Sequence, residues 1–235
     1  THQNTSTMKH PNLFQSYTFN NGVTVSNRLA VAPMTHLASD DNGHITDEER
    51  QFLTDRFQGI GLFISAATLV HDGGKAFYGQ PEAIGTEDLP SLREVARIAH
   101  DQGAKALLQI HHGGWQSIPE LNPNGEIFAP SEHPDTGAKA LTEAQILSII
   151  NGYGRAAELA LEAGFDGVEI HGANNYLIQQ FFSAQSNRRT DAWGGSLQSR
   201  LRFPLAVVDA VTAVRDRHAK PEFIIGYRFS PEEPG

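Results

Sequence analysis

The residues best suited to chemistry cluster in Gly167-Val-Glu-Ile-His-Gly-Ala-Asn-Asn-Tyr176, a strand-like run that passes into a polar loop. His171 and Asn174 can each donate a hydrogen bond to one oxygen, and Tyr176 carries a phenolic proton. Two donors aimed at a carbonyl oxygen stabilise the negative charge that develops when hydride adds to a conjugated double bond. Tyr176 would then supply the proton, general-acid help worth roughly 10²–10⁴ in rate. The same spacing also suits a hydrogen-bonded core histidine beside a rim tyrosine, and spacing alone leaves both readings open. His111 and His112 raise the question of a metal, but neighbours on a strand face opposite ways, which argues against one ion holding both. Gly73-Gly74, Gly113-Gly114 and Gly194-Gly195 read as turns rather than phosphate cradles.

The elements that must position these residues alternate between strand and helix. Apolar runs without alternation at residues 29–32, 62–64, 106–110, 168–170 and 223–227 predict five strands buried on both faces. Before them, Tyr17-Thr-Phe-Asn and Val23-Thr-Val-Ser flank Asn20-Asn21-Gly22, and the Asn-Gly pair predicts a tight hairpin with positive φ angles. The first helix is expected from Asp47-Glu-Glu-Arg to near Gly59. A capping box of Ser91 and Glu94 predicts the second, ending at Gly103, and Thr142 with Gln145 predicts the third, with Ile146, Ile149, Ile150 and Tyr153 on one stripe and Gly164 at its end. A fourth, over residues 196–218, contains Pro204, which should kink or divide it.

This alternation fits an open doubly wound sheet or a (β/α)8 barrel. No Gly-x-Gly-x-x-Gly follows the first strand, so the dinucleotide-binding open sheet loses its main support. Thr35, Gln109, His171 and Arg228 each fall at or just past the carboxyl end of a different strand, the face on which barrel enzymes build their sites. The net charge of −9 and the lack of a basic stripe argue against nucleic acid. The most apolar stretch, residues 61–70, is too short to cross a membrane. With 0 cysteines there is no disulfide or thiolate, and a cytoplasmic location is the simplest expectation.

Longer motifs carry a resemblance. His171-Gly-Ala-Asn174-Asn-Tyr176-Leu-Ile-Gln-Gln-Phe-Phe-Ser183, Ser186-Asn-Arg-Arg-Thr-Asp191-Ala-Trp-Gly-Gly195 and Arg202-Phe203 resemble the signature of the Old Yellow Enzyme family. Asn27-Arg28-Leu-Ala-Val-Ala-Pro33-Met34-Thr35 is similar to the family's first strand and Arg228-Phe-Ser-Pro231 to its fifth, and the match runs in order from about residue 12 to the end. The resemblance implies an FMN-dependent ene-reductase on a (β/α)8 TIM barrel, with NADH or NADPH as reductant and a small-molecule enone as substrate. It assigns Tyr176 as proton donor and His171 and Asn174 as carbonyl donors. It gives Ala32, Pro33, Met34, Thr35, Ala67, Gln109 and Arg228 to the flavin, with Gln109 at the pyrimidine edge and Arg228 near N1 and O2 of the reduced ring. Leu37 stands where some relatives have a substrate-contacting tyrosine, Trp115 could wall the pocket, and Asn175 replaces a glycine common in relatives.

A barrel needs eight strands and typically ~250 residues; only about the first five βα units, plus the hairpin, are legible here. The expectation is a disordered or expression-derived lead-in at residues 1–11, with Met8 as natural start, and one incomplete barrel domain at 12–235 belonging to a longer enzyme. The loops after strands seven and eight, which hold the FMN phosphate in the resembled family, are expected to lie outside it. Self-association stays open. Two rival readings are a metal-dependent barrel hydrolase using His111, His171 and Asp166, and a non-catalytic barrel piece.

Overall fold

The computed structural model describes residues 9–231, so Met8 and most of the expected lead-in lie outside the described residues. The chain opens with Tyr17–Thr18 (β1) and Thr24–Val25 (β2), paired antiparallel. The expected hairpin closes over Asn20-Asn21-Gly22: Phe19 N–H donates to Val23 O at 2.8 Å, and of the positive φ angles expected of the Asn-Gly pair only that of Gly22, 87°, is adopted. This is the three-residue hairpin geometry, in which a single left-handed glycine suffices.

After the hairpin come Ala30–Val31 (β3), Asp47–Leu53 (α1), Leu62–Ile64 (β4), Thr68–Leu69 (β5), Leu89–Asp101 (α2) and Lys105–His111 (β6). Phe128–Ala129 (β7), Lys139–Ala140 (β8), Glu143–Ala163 (α3), Gly167–Gly172 (β9), Leu177–Phe182 (α4), Leu197–Arg217 (α5) and Ile224–Phe229 (β10) complete it. The five expected strands form one parallel sheet in the order β3-β4-β6-β9-β10. Each long strand lies beside its predecessor. A doubly wound sheet instead reverses its strand order at a switch point, so the unreversed order with helical crossovers makes this a partial (β/α)8 barrel. The short β5 adds to β6, and β7 pairs with β8 in the long loop after it; both pairs are too short to leave a periodic signal.

Local signals set some boundaries, and distant partners overrode others. Thr142 and Gln145 form the expected reciprocal cap of α3, and Gly164, at φ 91°, ends it. The Ser91–Glu94 box does not form, because both side chains find stronger partners elsewhere. Ser91 Oγ accepts Ile45 N–H at 2.8 Å, and Glu94 binds Arg50 at 2.6 and 3.0 Å. The Asp88 carboxylate receives the Ile84 and Gly85 N–H groups instead, and α2 starts two residues before Ser91. Helix α1 stops at Leu53 rather than near Gly59: Asp55 turns left-handed at φ 62°, and the Gln102 amide bonds Leu53 O at 3.0 Å and Phe57 N–H at 2.7 Å. Helix α5 runs unbroken through Pro204, held by a buried face of Phe203, Val207, Val211 and Val214. The core fills the layer between the sheet and α2, α3 and α5, with Ile146, Ile149, Ile150 and Tyr153 all buried. Among the described residues no helix is long and apolar enough to cross a membrane.

Candidate active site

Strand β9 presents every second residue to the barrel interior, so Glu169 and His171 share one face. Register places Gln109 of β6 beside Glu169, and Arg228 of β10 beside His171. The chain then turns sharply: Asn174 and Asn175 are both left-handed, at φ 56° and 61°. Asparagine tolerates that region better than most side chains, and it explains how Asn175 substitutes for glycine. Three glutamines hold the turn. Gln116 Nε2 donates to the carbonyls of Asn174 and Asn175 at 2.9 and 2.8 Å, Gln180 Nε2 donates to Asn175 O at 2.7 Å, and Gln179 Oε1 accepts Asn175 N–H at 2.6 Å. Tyr176 follows as the N-cap of α4, and Leu177 N–H bonds His112 O at 3.2 Å, tying the helix start to the end of β6.

His171, Asn174, Tyr176 and Arg228 line one cleft together with Pro33, Thr35, Ala67 and Gln109. His171 is 4% exposed, and burial followed by the Arg228 charge pushes its pKa down to about 4. Its Nδ1 accepts the Ala173 N–H at 3.4 Å, so the neutral ring carries its proton on Nε2 as a donor. Burial holds the Tyr176 phenol above its ordinary pKa, so it keeps its proton at neutral pH. The tyrosine ring stands edge-on to His171, with centroids 5.1 Å apart, and to His111, 4.3 Å apart. The Arg228 guanidinium has no hydrogen-bond or ion-pair partner among the described residues, so a cation without a direct partner lines the cleft. The arrangement gathers a neutral imidazole donor, an amide donor, a phenol and a cation in one concavity.

The profile of the family described as NADH:flavin oxidoreductase / NADH oxidase matches residues 12–235. The chain belongs to this family. It is 49% identical over 229 residues to the Bacillus subtilis (strain 168) protein named "Probable NADH-dependent flavin oxidoreductase YqiG", covering 96% of this chain and 62% of that one. It is 42% identical over 226 residues to the NADH:fumarate oxidoreductase of Klebsiella pneumoniae (strain 342), covering 94% of this chain and 24% of the relative. The crystal structure of an Old Yellow Enzyme from Pichia superposes with a TM-score of 0.85 at 26% identity, covering 94% of this chain and 60% of that one. The chain thus spans under two thirds of the length of each of these three proteins.

Within this member of the flavin oxidoreductase family, the expected site residues divide. Thr35 and Pro33 line the cleft, whereas Ala32 and Met34 line an apolar cavity with Phe52 of α1 and Leu92 of α2. Leu37 is left-handed at φ 56°, 61% exposed, and outside the cleft lining. Trp115 stacks on His133, with centroids 4.5 Å apart, in a neighbouring pocket that reaches Asn175. The hydrolase constellation is not assembled. Asp166 precedes β9 and binds His100 at 2.7 Å and Lys105 at 2.8 Å, roughly 16 Å of extended chain from His171.

Two further residues stand beside the cleft: His111, considered from sequence only as a metal ligand, and Glu169, given no role there. His111 is fully buried, bonded to Gln80 at 3.0 Å, and braces Tyr176. Glu169 accepts a hydrogen bond from Gln109 Nε2 at 2.6 Å. Its position two residues before His171 on a strand was the available signal.

The His171 shift predicts a pH response. Between its folded pKa of about 4 and the ordinary 6.5, the unfolded chain binds more protons than the folded one, so this group's contribution to stability rises with pH across that window and is lost as acid is added. Buried His112, pushed down to about 3, acts with the same sign. An NMR titration should place the His171 midpoint near 4; a midpoint near 6.5 would remove the expected acid sensitivity.

Proposed function

We propose that this chain is the carbonyl-binding and proton-donating part of an FMN-dependent ene-reductase that moves hydride from NADH or NADPH to the C=C bond of an α,β-unsaturated carbonyl compound. Residues 12–235 act as one portion of a barrel domain. The observation that carries the reading is the convergence of neutral His171, Asn174 and protonated Tyr176 on the cleft where Arg228 has no anionic partner. Family membership and the printed activity of the Klebsiella relative, an NADH:fumarate oxidoreductase, support it.

The residues fit a flavin. Arg228 is a free cation suited to the negative charge of a reduced pyrimidine ring, and Gln109 supplies an amide for its polar edge, with Pro33, Thr35 and Ala67 completing the wall. When bound, FMN would supply the hydride that reaches the substrate's β-carbon. The protein residues do the rest. His171 Nε2–H and the Asn174 amide bind the carbonyl oxygen and stabilise the charge that develops on it, while Tyr176 donates its phenolic proton to the α-carbon. The buried His111 and His171 rings hold that phenol in place.

Titrating the purified chain with FMN and recording its visible absorption and flavin fluorescence tests the reading. Binding is expected to perturb the flavin bands and quench the emission, with a further change on adding an enone. A chain that leaves both signals identical to free FMN at all concentrations is not a flavin-binding unit.

A further inference from the structure

We propose that Glu169 is a positioning residue, fixing the Gln109 side-chain amide so that its carbonyl oxygen faces the cleft as the acceptor for the pyrimidine N–H of the flavin. The inference rests on the flavin reading above. Gln109 and Glu169 are register partners on β6 and β9, and the Gln109 backbone is pinned by its N–H bond to Ser65 Oγ at 2.9 Å. The side chain, 2% exposed, donates from Nε2 to Glu169 Oε2 at 2.6 Å. An ionised carboxylate only accepts hydrogen bonds, so the nitrogen end of the amide must face it. The oxygen end is thereby directed away from Glu169. Gln109 Oε1 has no partner among the described residues, and Gln109 lines the cleft. A lone acceptor there matches a donor, and a flavin ring presents one such N–H between two carbonyls.

Glu169 also places a negative charge beside the cation that the cleft uses. Burial raises its pKa, while the Gln109 bond and the Arg228 charge oppose that rise. No ion pair joins Glu169 to Arg228 among the described residues, so Arg228 stays free for the ring while its field is partly offset. Orientation of the amide and charge at the ring can therefore be separated by substitution. Glu169→Gln keeps an acceptor of the same shape and removes the charge, whereas Glu169→Ala removes both.

The test compares wild-type, E169Q and E169A chains using lumiflavin, a flavin ring without the phosphate tail, and the side-chain amide resonances of Gln109. In the flavin-free wild type, one Gln109 amide proton is expected downfield, and E169A should lose that shift. E169A should bind lumiflavin about tenfold more weakly, the scale of one misdirected hydrogen bond. E169Q should bind within about threefold of wild type but move the midpoint potential of the bound flavin to a more positive value. A merely structural glutamate would change the melting temperature and none of these. E169A binding as tightly as wild type, or an unchanged potential in E169Q, overturns this inference alone; no lumiflavin uptake by the wild type overturns the flavin reading and this inference together.

Discussion

Tyr176→Phe is expected to slow reduction of an enone by about 10²–10⁴-fold while leaving oxidation of NAD(P)H by the flavin-loaded enzyme near its wild-type rate. The substitution removes only a hydroxyl. The ring keeps its edge-on contacts with His111 and His171, at 4.3 and 5.1 Å between centroids, and the backbone N–H keeps its bond to Ala173 O at 3.1 Å. The proton that the α-carbon needs then has to come from water, whereas hydride arriving from a nicotinamide requires no proton from this side chain. Stopped-flow measurement of the two half-reactions separates the cases. Equal loss in both would make Tyr176 a binding or structural residue rather than the acid.

Phe181→Ala should cost about 3–5 kcal/mol of stability. Phe181 is fully buried on α4 and stacks on Phe203 of α5, with ring centroids 4.1 Å apart and planes 18° apart. Deleting the ring removes its burial and leaves a cavity that two helices would have to collapse to fill. Tyr176 caps the same helix, so its docking places the proposed proton donor; carbonyl affinity should fall along with stability. Urea denaturation measures the first and ligand titration the second. A loss below about 1 kcal/mol would show that α4 docks through other contacts.

The strands and the third helix were legible because their signals are local. Unalternating apolar runs marked the strands, and Thr142, Gln145 and Gly164 satisfy the ends of α3 from within a few residues. Ser91 and Glu94 carry the same local signal and failed it, because Ile45 and Arg50, remote in sequence, offered better partners. Helix α1 ended early for the same reason, since Gln102, the residue that caps the end of α2, satisfies the backbone that would have continued it.

The site divides along the same line. His171, Asn174 and Tyr176 sit within six consecutive positions, so one strand end and one turn bring them together and their types alone point to carbonyl chemistry. What they become depends on chain far away. Burial and then the Arg228 charge make His171 neutral, and the glutamines at 116, 179 and 180 hold Asn174 and Asn175 left-handed. Register alone pairs Gln109 with Glu169. The sequence by itself determined which groups stand ready at the end of β9. Only the tertiary structure decided their protonation, their bracing and which of residues 32–35 face them, because burial, charge and strand register arise between segments rather than within one.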